Sequence, residues 1–361
     1  MRKKRILLAP LDWGLGHATR CMPIIEELLA KNADIVIAAD GRPAKLLQKE
    51  YPQLSHIRYP GYEMYYSADS NMAWTMFRQL PKLLKGIAAE KRMLEKIIVD
   101  ESIDAVISDN RWGAYSSHVP SVYMVTQLRI LVSPALRWAQ WIVDAANMKL
   151  ISPFNEIWVP DFDSPDNILG DLVPKELTTE KTFYIGPLSR LKKIEGLKKE
   201  LDLLVILSGL EPQRTIIERL IIEQLERTSL KALVVRGTPE VNTKFSMSKT
   251  LTLVSALDAE QLSEAIASSR MILARSGHST IMDLSFLGAN AIFIPTPQQT
   301  EHEYLARRLK ERGICYSEPQ SGFSLERALK ESKAYNGFPV MYNDRTVLRN
   351  RIDHLLDTIS L

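Results

Sequence analysis

The stretch "LDWGLGHATR" (residues 11–20) places a histidine, His17, just past two glycines, where a short apolar run gives way to a helical pattern. In the first turn of a helix the partial positive charge of the helix end disfavours imidazolium. A neutral imidazole there can take a proton from a hydroxyl. Asp109 closes the apolar run "IDAVISD" (103–109). It could fix the tautomer of such a histidine and stabilise it as the proton arrives, or it could cap the turn "DNRWG" that follows. The glycines do not decide the matter. Thr19 stands at the third position of a dinucleotide fingerprint, and no Gly-Lys-Ser/Thr follows for a P-loop. A tight turn that needs Gly14 and Gly16 for backbone reasons is the competing reading.

A second group suits anion binding. In "ARSGHSTIMDL" (274–284) an apolar run ends at Arg275, and Ser276, Gly277, Ser279 and Thr280 lead into a helical pattern. Glycine lets backbone N–H groups approach an anion, hydroxyls donate, and the helix N-terminus favours negative charge. Asp283, three residues past Thr280, could accept from vicinal ribose hydroxyls, or be a solvated first-turn acid. In "LSGLEPQRT" (207–215), Ser208 and Gly209 could bind a phosphate or base. Arg214 there is either offset by an anion or paired with Glu211 or Glu218, and Arg236 and Gly237 close the next run.

These residues sit at the ends of short apolar runs that alternate with helical patterns. Strands are expected at 5–10, 33–39, 103–109, 120–127 and 155–161. A second series is expected at 201–209, 231–237, 251–257, 270–277 and 290–297. Helices fall at 17–30, 43–51, 134–149, 212–227, 258–267, 279–287 and 345–358. Such alternation predicts an α/β chain of two doubly wound parallel-sheet domains facing a cleft, with ligands beyond the carboxyl ends of the strands. The expected division is a Rossmann-like domain over 1–185, a Gly/Pro-marked and then basic linker over 186–200, and a second such domain over 201–340. The helix in 341–361 is expected to return to the first domain.

Composition narrows the class. The 361 residues carry 46 Lys plus Arg against 43 Asp plus Glu, a net charge of +3 that gives no basis for nucleic-acid binding. The two cysteines, Cys21 and Cys315, have no metal spacing and imply reduced thiols. "ILLAP" is too short for a signal-peptide core, and no run approaches the roughly 18 apolar residues of a membrane span. A cytoplasmic protein is expected, or one peripheral on the inner face of the membrane.

"RSGHSTIMDL" followed by "IPTPQQTEHEYLA" (294–306), together with "GLGHATR", resembles the UDP-sugar branch of the GT-B glycosyltransferases. That branch includes the family 28 N-acetylglucosaminyltransferase that makes lipid II, diacylglycerol glycosyltransferases and UDP-glycosyltransferases of small molecules. The resemblance implies that Arg275 contacts the donor diphosphate and Thr280 a phosphate. Asp283 takes the place of a ribose-binding glutamate, one methylene shorter. Gln299, Glu301 and His302 lie where the donor sugar is held, with His302 replacing the usual glutamine. His17 falls on the base, Asp109 on its partner, and Gly14 and Gly16 keep backbone bulk away from the reacting sugar.

The expected reaction is inverting transfer of a hexose-type sugar from a nucleotide donor to an acceptor hydroxyl, with no cofactor and no metal. "DFD" (161–163) imitates a metal motif but reads as a solvated turn. A lipid-linked acceptor would suit the segment 71–98, where Trp74, Phe77, Leu80 and Leu84 recur at helical spacing among Arg78, Lys82, Lys85, Lys91 and Arg92. Such a face could touch a membrane or be plain core, interrupted at Pro81. "LRWAQWIVDAANM" (136–148) poses the same choice. A nucleotide-sugar hydrolase or epimerase and a non-catalytic sensor are the alternatives.

Overall fold

The computed structural model describes residues 2–61, 72–132, 134–165, 167–209, 211–238, 243–339 and 345–359, with backbone alone at 72–79 and 134–135. Trp74, Phe77 and Arg78 therefore lie outside the described side chains. The chain divides into two compact units, 1–188 with 344–361, and 189–343.

The first unit runs β1 (Arg5–Pro10), α1 (Leu15–Ala30), β2 (Asp34–Ala39), α2 (Gly41–Glu50), β3 (Ser55–Arg58), α3 (Met72–Asp100), β4 (Ala105–Asp109), β5 (Ser121–Met124), α4 (Gln140–Ile151), β6 (Glu156–Val159) and β7 (Thr182–Tyr184). Its sheet is parallel throughout, in the order β3-β2-β1-β4-β5-β6-β7. β1 and β4 are buried on both faces, as their unbroken apolar runs require. The order reverses between β1 and β4, where parallel register sets Pro10 beside Asp109.

The second unit runs β8 (Leu201–Ile206), α5 (Gln213–Leu225), β9 (Ala232–Val235), β10 (Lys244–Ser246), β11 (Leu251–Val254), α6 (Ala259–Ala267), β12 (Ser269–Ala274), α7 (His278–Leu287), β13 (Ala291–Phe293), α8 (Thr300–Glu311), β14 (Tyr316–Ser317) and α9 (Leu325–Glu331). The sheet order is β10-β11-β9-β8-β12-β13-β14, parallel except for β10 against β11. Its reversal lies between β8 and β12. The last helix, α10 (Thr346–Thr358), belongs to the first unit. It buries Leu348, Ile352, Leu355 and Leu356 in the core that holds Ile24, Ile25 and Leu28 of α1.

Several expected strands end sooner than the apolar runs do. β8 stops at Ile206, β12 at Ala274 and β13 at Phe293, so Ser208, Arg275 and Thr296 belong to loops. Residues 134–139 form a 3-10 turn before α4. Pro81 lies inside α3 without ending it.

Candidate active site

In an open parallel sheet, ligands gather where the strand order reverses. Both predicted groups occupy such points, one in each unit.

In the first unit, β1 delivers the chain past Pro10, and Leu11 N donates to Asp109 O at 3.1 Å. α1 then starts at Leu15, so His17 lies in its first turn. The structure brings His17 and Asp109 together: His17 Nδ1 is 2.9 Å from Asp109 Oδ2. A third residue joins them. Arg20 Nε donates to both carboxylate oxygens, at 2.8 and 2.9 Å, and Nη2 donates to Oδ1 as well. Asp109 is fully buried. Burial alone would raise its carboxyl, but Arg20 and His17 outweigh that and hold it below the usual carboxylate range. His17 is lowered, by burial first and the Arg20 charge second, with Asp109 opposing. The imidazole is therefore neutral at neutral pH.

The loop glycines are not conformational necessities. Gly14 is extended (φ 179°) with open space where a Cβ would stand. Gly16 is inside the helix and is not among the residues with positive φ. What both lack is a side chain at the mouth of α1.

In the second unit, Arg275 is almost wholly buried at the end of β12. Its Nη1 donates to the carbonyls of Ile294 and Pro295, and its Nη2 to Gln213 O and Gln320 Oε1. Its Nε has no partner, and among the described residues no carboxylate pairs with it. Burial lowers it to about 10. The expectation that Arg275 offers its fork to a diphosphate is thus modified. Its N–H groups fix the ends of the surrounding loops, and its charge, without a carboxylate partner among the described residues, acts on His302, whose ring lies against the Gly277 N-cap of α7.

Gly277 is the N-cap of α7, with no side-chain cap. A Cβ there would come 3.2 Å from His302 Nε2, so glycine lets the imidazole lie against the loop backbone. His302 Nδ1 is 3.0 Å from Thr296 Oγ1, and Ser276 Oγ donates to His302 O at 2.8 Å. Burial and the Arg275 charge push His302 down to about 3. Ser279 and Thr280 occupy the first turn of α7, Gln299 is the N-cap of α8, and Glu301 lies in the first turn of α8. Asp283 Oδ1 accepts from Ser189 Oγ at 2.6 Å, and burial raises its carboxyl to about 6.

Arg214 and Arg236 are committed elsewhere. Arg214 Nε donates to Glu211 Oε1 at 2.6 Å and its Nη1 pairs with Glu218. Arg236 Nε and Nη2 donate to Glu218 Oε1 at 3.0 and 2.7 Å. Two arginines and two glutamates balance one another, so the structure shows the pairing alternative for Arg214, and Arg236, also a candidate donor contact, shares Glu218 with it. Ser208 and Gly209 remain at the end of β8, Gly209 with φ +109°. Gly237 meets Leu207 closely, for a Cβ there would be 2.4 Å from its carbonyl oxygen.

Sequence reasoning missed Arg20, Ser189, Thr296 and Gln320. Only Arg20 left a signal, its i, i+3 spacing from His17 on a helix. Among the described residues no group of three or more His, Cys, Asp or Glu is placed to hold a metal ion. Asp161 of "DFD" is buried, accepting from the backbone of Phe162, Ile168 and Leu169 rather than facing solvent.

The apolar segments divide. On α3, Leu83 and Ile87 pack with Leu11, Trp13 and Trp112, while Leu80 and Leu84 are exposed. Trp138, Trp141 and Ile142 are exposed as well, the tryptophans by 73% and 70%. Among the described residues no helix is long and apolar enough to cross a membrane.

Comparison with known proteins agrees with this architecture. Residues 215–340 match the glycosyltransferase family 28 C-terminal domain. An uncharacterized glycosyltransferase of Methanosarcina mazei is 21% identical over 87% of this chain and 86% of its own. The UDP-N-acetylglucosamine--N-acetylmuramyl-(pentapeptide) pyrophosphoryl-undecaprenol N-acetylglucosamine transferase of Acetivibrio thermocellus is 23% identical over 92% of this chain and 88% of its own. Among solved structures, the kitacinnamycin glycosyltransferase superposes with a TM-score of 0.63 at 15% identity, covering 100% of this chain and 96% of that one. MurG of Acinetobacter baumannii gives 0.55 at 12% identity, covering 99% of each. With two Rossmann-like sheets and a family 28 C-terminal domain in its second unit, the chain is a glycosyltransferase of the GT-B fold.

Proposed function

We propose that the protein transfers a hexose-type sugar from a nucleoside diphosphate donor, UDP in the first place, to an acceptor hydroxyl with inversion and without a metal. The observation that carries this reading is the buried charge of Arg275, in the loop that leads into α7, which no carboxylate offsets among the described residues and which acts on His302 beside the Gly277 N-cap. A diphosphate at that helix end would supply the missing negative charge. Backbone N–H groups of the Ser276–Thr280 turn would donate to it, and Asp283 to the donor would act as acceptor for ribose hydroxyls.

In the reaction, His17 Nε2 takes the acceptor proton as the hydroxyl oxygen bonds to the anomeric carbon. The bond from that carbon to the diphosphate oxygen breaks, and its electron pair leaves with the diphosphate. Attack opposite the leaving group inverts the centre. Arg275 and the α7 N-terminus stabilise the growing charge. Fixed donors of this kind contribute about 3 kcal/mol each in analogous sites, which is why the mechanism calls for no metal. Asp109 steadies the imidazolium that forms. The bare backbone at Gly14 and Gly16 leaves room for the reacting groups.

The acceptor in this reading is lipid-linked, as in the name of the Acetivibrio thermocellus relative. Exposed Trp138, Trp141 and Ile142, near exposed Arg137 and Lys149, suit contact with an anionic membrane surface.

Calorimetric titration with UDP-, TDP- and GDP-sugars tests the donor assignment. One nucleotide series should bind, and the bare diphosphate should retain part of the affinity. Binding by none would end the reading. Rapid release of free sugar without an acceptor would turn it into hydrolysis.

A further inference from the structure

Arg20 touches both His17 and Asp109, yet the reaction above leaves it without a part. It is nearly buried on α1, one turn past His17, and its guanidinium grips a fully buried carboxylate at two points. We propose that Arg20 is a positioning residue for the sugar transfer: it locks Asp109 as a carboxylate facing His17 Nδ1, and its charge beside the ring keeps the imidazole neutral until the acceptor proton arrives. This rests on the reading of His17 as the base.

The geometry at Nδ1 carries the argument. Asp109 Oδ2 lies 2.9 Å from Nδ1, and Arg20 Nη2 lies 2.7 Å from the same atom. A ring nitrogen cannot serve both, because arginine only donates and an ionised carboxylate only accepts. If Nδ1 holds the proton, it donates to Asp109 and Nε2 presents a lone pair. If Nδ1 holds the lone pair, it accepts from Arg20, Nε2 carries the hydrogen, and the residue is no base. Proton transfer to Nε2 therefore needs the first tautomer. Arg20 favours it indirectly: with Nε shared between Oδ1 and Oδ2 and Nη2 on Oδ1, the carboxylate can neither turn away nor protonate.

Arg20 also acts directly. A fixed cation this close opposes formation of imidazolium, and Asp109 opposes that effect in turn. The other ionisable groups facing the pair are Cys21 on α1, whose Sγ is 3.9 Å from Asp109 Oδ2, Asp12 in the loop before α1, and Tyr123 on β5. Burial raises the Cys21 thiol and the Tyr123 phenol well above their ordinary values, so both are neutral. Among the described charged groups that act on the His17 ring, Arg20 is the cation and Asp109 and Asp12 are anions. In the sequence of a simple histidine–carboxylate pair the carboxylate makes the histidine more basic. Here the arginine tempers that gain, and the imidazolium is acidic enough to return its proton to solvent after each turnover.

The test is a titration of the histidine ring nitrogens by 15N NMR in wild type, Arg20→Lys and Arg20→Met, with His17→Gln used to assign the signal. Wild-type His17 should carry its proton on Nδ1 and titrate below an ordinary histidine. In Arg20→Met the midpoint should rise by about one pH unit or more. Arg20→Lys keeps the charge but not the fork, so it should stay near the wild-type midpoint with a mixed tautomer. The acid limb of kcat should move with the NMR midpoint in each variant. Coincident midpoints in wild type and Arg20→Met would overturn the inference, and would leave the base assignment standing if His17→Ala had lost turnover. A midpoint that moves while the kcat limb does not would overturn the base assignment and, with it, the role given to Arg20. Should Arg20→Met fail to fold, the tautomer in Arg20→Lys decides: an unmixed Nδ1–H form identical to wild type contradicts the role of the fork.

Discussion

Ser189 Oγ donates to Asp283 Oδ1 across 2.6 Å, tying the first residue of the second unit to helix α7. The bond occupies one of the two oxygens with which Asp283 would receive a ribose. Replacing Asp283 by Ala should weaken nucleotide binding at least about tenfold, the loss of one or two hydrogen bonds to a charged group. Ser189→Ala should leave binding equal or tighter, since a competing donor is gone. The Asp283 carboxyl is raised to about 6, and its ionised form is the one that accepts from both hydroxyls. Affinity should therefore fall as pH drops through about 6, and by about tenfold one unit below that value. Calorimetry at several pH values checks both statements.

Glu218 holds Arg214 and Arg236 together, which predicts a structural role for all three. Glu218→Gln leaves a partly buried cation short of its partner and should cost about 3 kcal/mol in urea unfolding. Nucleotide affinity measured on the folded variant should stay within about threefold of wild type. A tenfold gain in affinity would mean that the freed arginines reach the phosphates.

His302 makes acid stability measurable. Its folded value, about 3, lies below the ordinary 6.5, so the unfolded chain binds the extra proton between those limits. Its contribution is fully present above about pH 6.5 and is lost as pH falls toward 3. His302→Gln should remove that loss. Near pH 5 the variant should retain about 1–2 kcal/mol that wild type has surrendered relative to neutral pH. Urea unfolding at the two pH values provides the difference.

Exposed Trp138 and Trp141 give the proposed membrane contact a direct check. Cosedimentation with anionic vesicles should fall several-fold in the double alanine variant, while its melting temperature stays within a few degrees of wild type, because neither ring is packed in the core. Unchanged vesicle binding would remove these residues from the acceptor side of the proposal.

The sheets were legible in sequence because parallel strands buried on both faces show as unbroken apolar runs, as in "RILLAP" and "AVISD". The edges were not. β3 ("SHIR") is mostly polar with exposed ends, β10 ("KFS") is exposed throughout, and β14 spans two residues. Such strands are selected by a neighbouring edge rather than by their own pattern. At the site, residues at strand ends could be placed by topology, so His17 and Asp109 could be paired across 92 positions. What topology does not give is which side chains saturate one another. Arg214 and Glu218 lie one helical turn apart and their pairing could be anticipated. Arg236 joining from just past the end of β9 could not, nor could the bond from Ser189 to Asp283, 94 positions away. Arg20 was within reach on helical spacing, but attention to the glycines passes over it.

The proposal to be tested first is that His17 is the base of the sugar transfer. His17→Ala, assayed in one preparation for donor affinity by calorimetry and for turnover by nucleotide release with acceptor, tests it most directly. Donor affinity should match wild type within about threefold, with turnover lowered about 10²–10⁴-fold. Turnover that survives the substitution undiminished would contradict the account.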